Sequence, residues 1–88
     1  MKVLKCNPNR SDYIAARVTR ENVNEVKLWC NAEGYTVDFA YDMVMFRINW
    51  RNHPVTFGDY LIRDIHGHWF SMSPAEFEQS FTYKEIDA

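Results

Sequence analysis

Alternation of apolar and polar side chains with a period of two constrains the fold of this chain more than any other feature. It runs through residues 35–41 and again through residues 42–50. Successive side chains of a β-strand point to opposite faces, so this pattern predicts two strands. A tight hairpin at Tyr41-Asp42, or a bulge within one long ribbon, joins them. In the second strand we expect Val44, Phe46, Ile48 and Trp50 to face the core.

Helical spacing replaces alternation over residues 21–33, where Val23, Val26 and Cys30 recur on one face. Thr19 is the predicted N-cap of this helix. Gly34 is expected to end it in a left-handed conformation.

A second helix is predicted to start at residues 73–76, which read Ser-Pro-Ala-Glu. Ser at the N-cap, Pro at the first helical position and Glu at the third form a capping box. Phe77 and Phe81 then lie four residues apart and give this short helix one apolar face.

Further strands are predicted at residues 12–18, 59–65 and 68–72, with turns at residues 51–54 and at His66-Gly67. The predicted order is β-α-β-β-β-β-α. It indicates an α+β domain in which a small antiparallel sheet is packed by one longer helix and a short C-terminal helix. The 88 residues are enough for a single domain. We expect loose ends at 1–11, which Asn7-Pro8-Asn9 breaks, and at 82–88, with Lys2–Cys6 as an optional edge strand.

Composition narrows the class of protein. The net charge of −2 argues against a dedicated binder of double-stranded nucleic acid. No apolar run has the length of a signal peptide or a membrane span. We therefore expect a cytoplasmic protein with Cys6 and Cys30 reduced.

Few residues suggest chemistry. His66 and His68 flank a turn, and His53 and Cys6 are the remaining soft ligands, but no metal-binding spacing links them. Ser71, Ser73, Asp59 and Asp64 lie near His68 in sequence without forming a known catalytic motif. We expect no metal, no cofactor and no enzymatic activity.

One face of the predicted strands could contact a partner. It carries Met43, Met45, Arg47, Asn49 and Arg51, and Trp69 adds bulk on a later strand. Met, Trp and Arg are enriched at protein interfaces. Either the C-terminal helix covers this surface, or a partner protein or a second copy of the chain does.

The chain resembles a widespread family of small, mostly uncharacterised phage and prophage proteins. The resemblance rests on G-D-Y-L-I at 58–62, Gly67, Pro74, Phe77 and Phe81, and on residues 15–26 upstream. In the family Gly often stands at the positions of Arg20 and Asp64, and Glu at that of His68. The shared residues are turn, helix-start and core positions, so the resemblance implies phage origin and no catalytic residues.

These features predict a non-catalytic phage accessory protein. It would act in the cytoplasm of the infected bacterium by binding a host or anti-phage-defence protein. One alternative is an oligomer that binds a nucleotide-type signal through Arg and aromatic residues. A second alternative is a binder of single-stranded nucleic acid, for which Trp50, Arg51, Arg47 and Trp69 are the candidate residues.

Overall fold

A computed structural model describes residues 1–6 and 13–87. Within them two helices and two antiparallel sheets confirm the predicted α+β class. The elements are β1 (Lys2–Cys6), β2 (Tyr13–Arg17), α1 (Val23–Trp29), β3 (Gly34–Asp38), β4 (Met43–Ile48), β5 (Arg51–Thr56), β6 (Tyr60–Arg63), β7 (Trp69–Met72), α2 (Pro74–Ser80) and β8 (Tyr83–Asp87).

The larger sheet has the strand order β7-β6-β2-β1-β8. Both ends of the chain that we expected to be loose contribute to it, since β8 pairs with β1 from Lys2↔Asp87 to Cys6↔Tyr83. β1 is an inner strand between β2 and β8, not an edge strand. The predicted break at Asn7-Pro8-Asn9 lies outside the described residues.

The smaller sheet has the order β3-β4-β5 and is a meander. Its first turn, at residues 39–42, contains the predicted Tyr41-Asp42. The predicted turn at residues 51–54 is wrong, because these residues belong to β5. Asn49 and Trp50 form the turn instead, with φ of 52° and 66°, and the pairing resumes at Ile48↔Arg51. Pro54 is tolerated in β5 because this strand is at the edge of its sheet.

The first helix is shorter than predicted and has different ends. Asn22, not Thr19, stands at its N-cap. The Asn22 side chain accepts a hydrogen bond from the Thr19 N–H and donates one to the Arg17 carbonyl, both at 2.8 Å. The left-handed residue after the helix is Asn31, with φ of 54°, while Gly34 opens β3. Asn is the residue after Gly that tolerates this conformation best.

The larger sheet has a hydrophobic core on each face. On one face α1 and the inner side of the smaller sheet form the first core, which includes Val18, Val26, Phe46 and Leu61. On the other face α2 and the residue that follows it form the second core, in which Phe77 and Phe81 pack on Cys6, Ala15, Tyr60 and Ile62. Ser73 is the N-cap of α2 as predicted, since its hydroxyl accepts from the Glu76 N–H and donates to the Glu76 carboxylate at 3.0 Å.

Candidate binding surface

The smaller sheet turns one side away from the first core. Val44, Phe46 and Ile48 are buried against that core, so the alternate residues of β4 point outward. These residues are Met43, Met45 and Arg47. Both methionines are half-buried, and Arg47 is exposed. We call this side of the smaller sheet the outer face.

Neighbouring strands complete the outer face. Met45 lies between Thr36 on β3 and Pro54 on β5, and Arg47 lies between Gly34 and Asn52. The surface is concave, with a volume of about 560 Å³. Gly34 has no side chain, and the space that a Cβ atom would occupy there has no heavy atom within 4 Å. The glycine therefore leaves part of the hollow open.

Three of the predicted surface residues lie elsewhere. A two-residue turn pairs Arg51 with Ile48, so Arg51 points to the same side as Ile48 and not to that of Arg47. Asn49 is in the turn itself. Trp69 is on β7 and packs edge-to-face on Trp29 at 5.3 Å between ring centroids. The structure therefore brings together Met43, Met45 and Arg47 but not Asn49, Arg51 or Trp69.

Large aromatic side chains project at both ends of the outer face. Phe39 and Tyr41, in the β3–β4 turn, are 78% and 73% exposed. Trp50, in the β4–β5 turn, is 75% exposed, so its predicted place in the core is wrong. Trp50 lies in a left-handed turn and not in a strand, so the period-two alternation that predicted its burial does not apply to it. Its ring lies under the guanidinium of Arg47, at 5.5 Å from the centroid.

The charges of the outer face are unevenly matched. Asp38 accepts a hydrogen bond from the Ala40 N–H at 3.0 Å, and Asp42 pairs with Arg20. Arg47 has no carboxylate within ion-pair distance among the described residues. It is a free cation beside an exposed aromatic ring.

A separate cleft of about 420 Å³ lies between the β4–β5 turn and the β6–β7 turn. Arg51, His53, His68 and Trp69 are among its lining residues. The two hairpins meet here because β5 runs beside β7, where the Ser71 hydroxyl donates to the Pro54 carbonyl at 3.3 Å. We call this the hairpin cleft.

Burial differs between the two histidines of the hairpin cleft. Burial and the neighbouring Arg51 charge lower the pKa of His53, which favours its neutral imidazole. The exposed His68 ring has Nδ1 3.4 Å from the Asp64 carboxylate. A neutral imidazole offers one donor and one acceptor.

The other side chains that could carry chemistry form no metal-binding group or have structural roles. No group of three or more His, Cys, Asp or Glu side chains that could hold a metal ion occurs within the described ranges. The Ser73 hydroxyl caps α2. Both cysteines are free and buried, and burial raises the pKa of the Cys6 thiol to about 11. No helix in the described part of the chain has the length and apolar character needed to span a lipid bilayer.

Comparisons of the chain with known protein families, with curated proteins and with solved structures give no match. The resemblance to small phage proteins therefore stays a prediction.

Proposed function

We propose that this chain is a non-catalytic phage accessory protein that binds a host or anti-phage-defence protein through its outer face. Binding would take place in the cytoplasm of the infected bacterium. The observation that supports this proposal is the uncovered row of Met43, Met45 and Arg47, with exposed aromatic rings at both of its ends.

The composition of this surface is that of a protein interface. Met, aromatic residues and Arg are enriched in the centres of interfaces, and Trp, Tyr and Arg dominate their binding energy. Methionine side chains adapt to the shape of a partner because they are flexible and polarizable. Isolated exposed apolar residues are ordinary, but here two half-buried methionines lie side by side on a hollow whose two bordering turns carry exposed rings.

Charge indicates the chemistry of the partner. Arg47 has no ion-pair partner among the described residues and lies beside Trp50; of the nearby acids Asp42 pairs with Arg20 and Asp38 accepts a backbone N–H, while Glu33 lines the hollow without an ion pair in the described part of the chain. A protein surface that is apolar at its centre and carries a carboxylate opposite Arg47 would complement this arrangement. A bidentate pair between that carboxylate and the guanidinium would add orientation as well as affinity.

The first experiment is native mass spectrometry on the tagged protein after gentle purification from bacterial lysate. A co-purifying host protein is then expressed, purified and titrated against the wild-type chain and the double variant Met45→Ala, Arg47→Ala. We expect the double variant to bind at least about 30-fold more weakly, since two central contacts of about 1 kcal/mol or more each are lost.

The control is Leu28→Ala, which removes an exposed apolar side chain, 72% accessible, from α1 and leaves the outer face unchanged. It should leave the affinity unchanged, and both variants should keep the wild-type circular dichroism spectrum. Equal affinities for wild type and double variant would refute the proposal. A wild-type dimer that the double variant converts to a monomer would also refute it, because the outer face would then be occupied by a second copy. Binding to single-stranded DNA that weakens steeply with salt would favour the nucleic-acid alternative instead.

A further inference from the structure

The hairpin cleft combines groups that the proposed docking function does not use. It lies on the inner side of the β4–β5 hairpin, whereas Met45 and Arg47 lie on the outer side. Its volume of about 420 Å³ is within the range of about 300–1,000 Å³ typical of small-molecule sites. A ligand could therefore occupy it while the outer face holds a protein.

Arg51 gives the cleft a permanent positive charge. The side chain is exposed, and no carboxylate lies within ion-pair distance of it among the residues that the structure describes. A guanidinium presents up to five N–H donors in a planar fork that matches phosphate geometry. The strongest unmet interaction in the cleft is therefore one with an anion.

The two imidazoles extend the polar side of the site. His53 is half-buried on the same strand as Arg51, two residues further on, and both side chains point to the inner side of β5. His68 reaches the cleft from the other hairpin, and its exposed ring has Nδ1 3.4 Å from the Asp64 carboxylate. An imidazole can present either ring nitrogen to a ligand. The cation and the two rings thus reach the cleft from both hairpins.

Trp69 gives the cleft an apolar wall of fixed orientation. Its indole packs edge-to-face on Trp29, with ring planes at 86°, and the Arg63 guanidinium lies 5.9 Å from it. A planar aromatic group of a ligand gains about 1–3 kcal/mol by stacking on such a ring. Gly67, in a left-handed conformation with φ of 80°, has no heavy atom within 4 Å of where its side chain would lie. It therefore leaves the cleft open beside Trp69.

We propose that the hairpin cleft binds a small aromatic phosphate of the nucleotide type. The phosphate lies against Arg51 and His53, and the base lies against Trp69. The charged and the flat walls together select this class over inorganic anions, which have no ring, and over nucleosides, which have no charge. This site is formed within one chain and does not depend on the docking function proposed above.

Isothermal titration calorimetry with three probes tests this assignment. The probes are AMP, adenosine and inorganic phosphate, each titrated into the wild-type protein at the same ionic strength. We expect AMP to bind more tightly than either of the other two by about tenfold or more, because only AMP uses both walls. Amide and indole NMR signals of Trp69 and Gly67 should shift on addition of AMP.

Two arginine variants of the same hairpin form a matched pair. Arg51→Ala should weaken AMP binding by about tenfold or more, since a hydrogen-bonded charge pair is lost. Arg47→Ala, on the opposite side of the hairpin, should leave AMP binding unchanged. Trp69→Phe retains a ring and should weaken AMP but not phosphate.

Three outcomes would overturn the assignment. The first is the absence of both binding heat and NMR shifts at AMP concentrations up to about 10 mM. The second is equal affinity of the wild-type protein for AMP and for phosphate. The third is an equal loss of AMP affinity in Arg51→Ala and Arg47→Ala. Loss of protein binding in the outer-face double variant with intact AMP binding would separate the two proposals. Failure of one therefore does not imply failure of the other.

Discussion

The carboxylate of Asp64 fixes the turn between β6 and β7. One of its oxygens accepts the N–H of His66 at 2.8 Å and that of His68 at 2.9 Å. The bond from the His68 N–H is the main cause of a pKa below the ordinary value of 3.8, and the bond from His66 acts in the same direction against partial desolvation. The ionised form is therefore the one that the folded chain favours.

A pKa lowered by folding contributes stability above the unfolded pKa, and this contribution is lost as the pH falls through the lowered value. We expect Asp64→Asn to have a lower Tm than wild type at pH 6–7, and the deficit to shrink below about pH 4. Thermal unfolding followed by circular dichroism across this pH series measures it. Asp64→Ala also removes the acceptor, so its deficit should be larger and should persist at pH 3. A deficit in Asp64→Asn that does not change with pH would contradict the charge argument.

At the scale of elements, the β4–β5 hairpin has a turn that its residues do not favour. Two-residue turns with positive φ at both positions prefer Asn-Gly, and here Trp50 stands where Gly is preferred, at φ of 66°. A bulky side chain in this region costs of order 1–3 kcal/mol. The stacking of Arg47 on Trp50 offsets only about 0.5–1 kcal/mol of it at an exposed site.

We therefore predict that Trp50→Gly raises the free energy of unfolding by about 1 kcal/mol, because it relieves the strained backbone. Trp50→Ala removes the same ring but keeps a side chain at positive φ, so it should be less stable than Trp50→Gly by a similar amount. Urea titrations with unchanged m-values measure both. Equal stability of the two variants would mean that the turn is not strained. If the outer face binds a protein as proposed, both variants should bind it more weakly, whatever their stability.

Elements whose signals are local could be predicted, and those whose signals are distant could not. Helix α2 was predictable because Ser73, Pro74 and Glu76 specify its start within four residues. The pairing of β1 with β8 was not, because it joins opposite ends of the chain and the propensity of neither segment indicates it.

The residues of the candidate site that follow a local pattern could likewise be predicted, and those that depend on distant contacts could not. Simple alternation places Met43, Met45 and Arg47 on one side of β4. The turn at Asn49-Trp50 lacks glycine, which hides the reversal that sends Arg51 to the other side. The hairpin cleft was not predictable, because it depends on two hairpins from different sheets meeting side by side.

At the scale of the whole molecule, β6 is shared by both hydrophobic cores. Leu61 packs in the first core, and its neighbours Tyr60 and Ile62 pack in the second. Tyr60 stacks on the fully buried Phe77 of α2, with 4.0 Å between ring centroids and 11° between planes. A defect in the second core therefore acts directly on a strand that supports the first.

This shared strand predicts that the two cores unfold together. Phe77→Ala should cost about 3–5 kcal/mol, a large part of the roughly 4–13 kcal/mol expected for a domain of this size. Phe77→Leu keeps the position apolar and leaves more of the fold measurable. Indole fluorescence from Trp29 and Trp69 reports on the first core, and far-ultraviolet circular dichroism reports on all elements. We expect both signals to shift to the same lower urea midpoint in Phe77→Leu, as one cooperative transition requires. An unchanged fluorescence midpoint beside a lowered circular dichroism midpoint would show that the cores unfold separately.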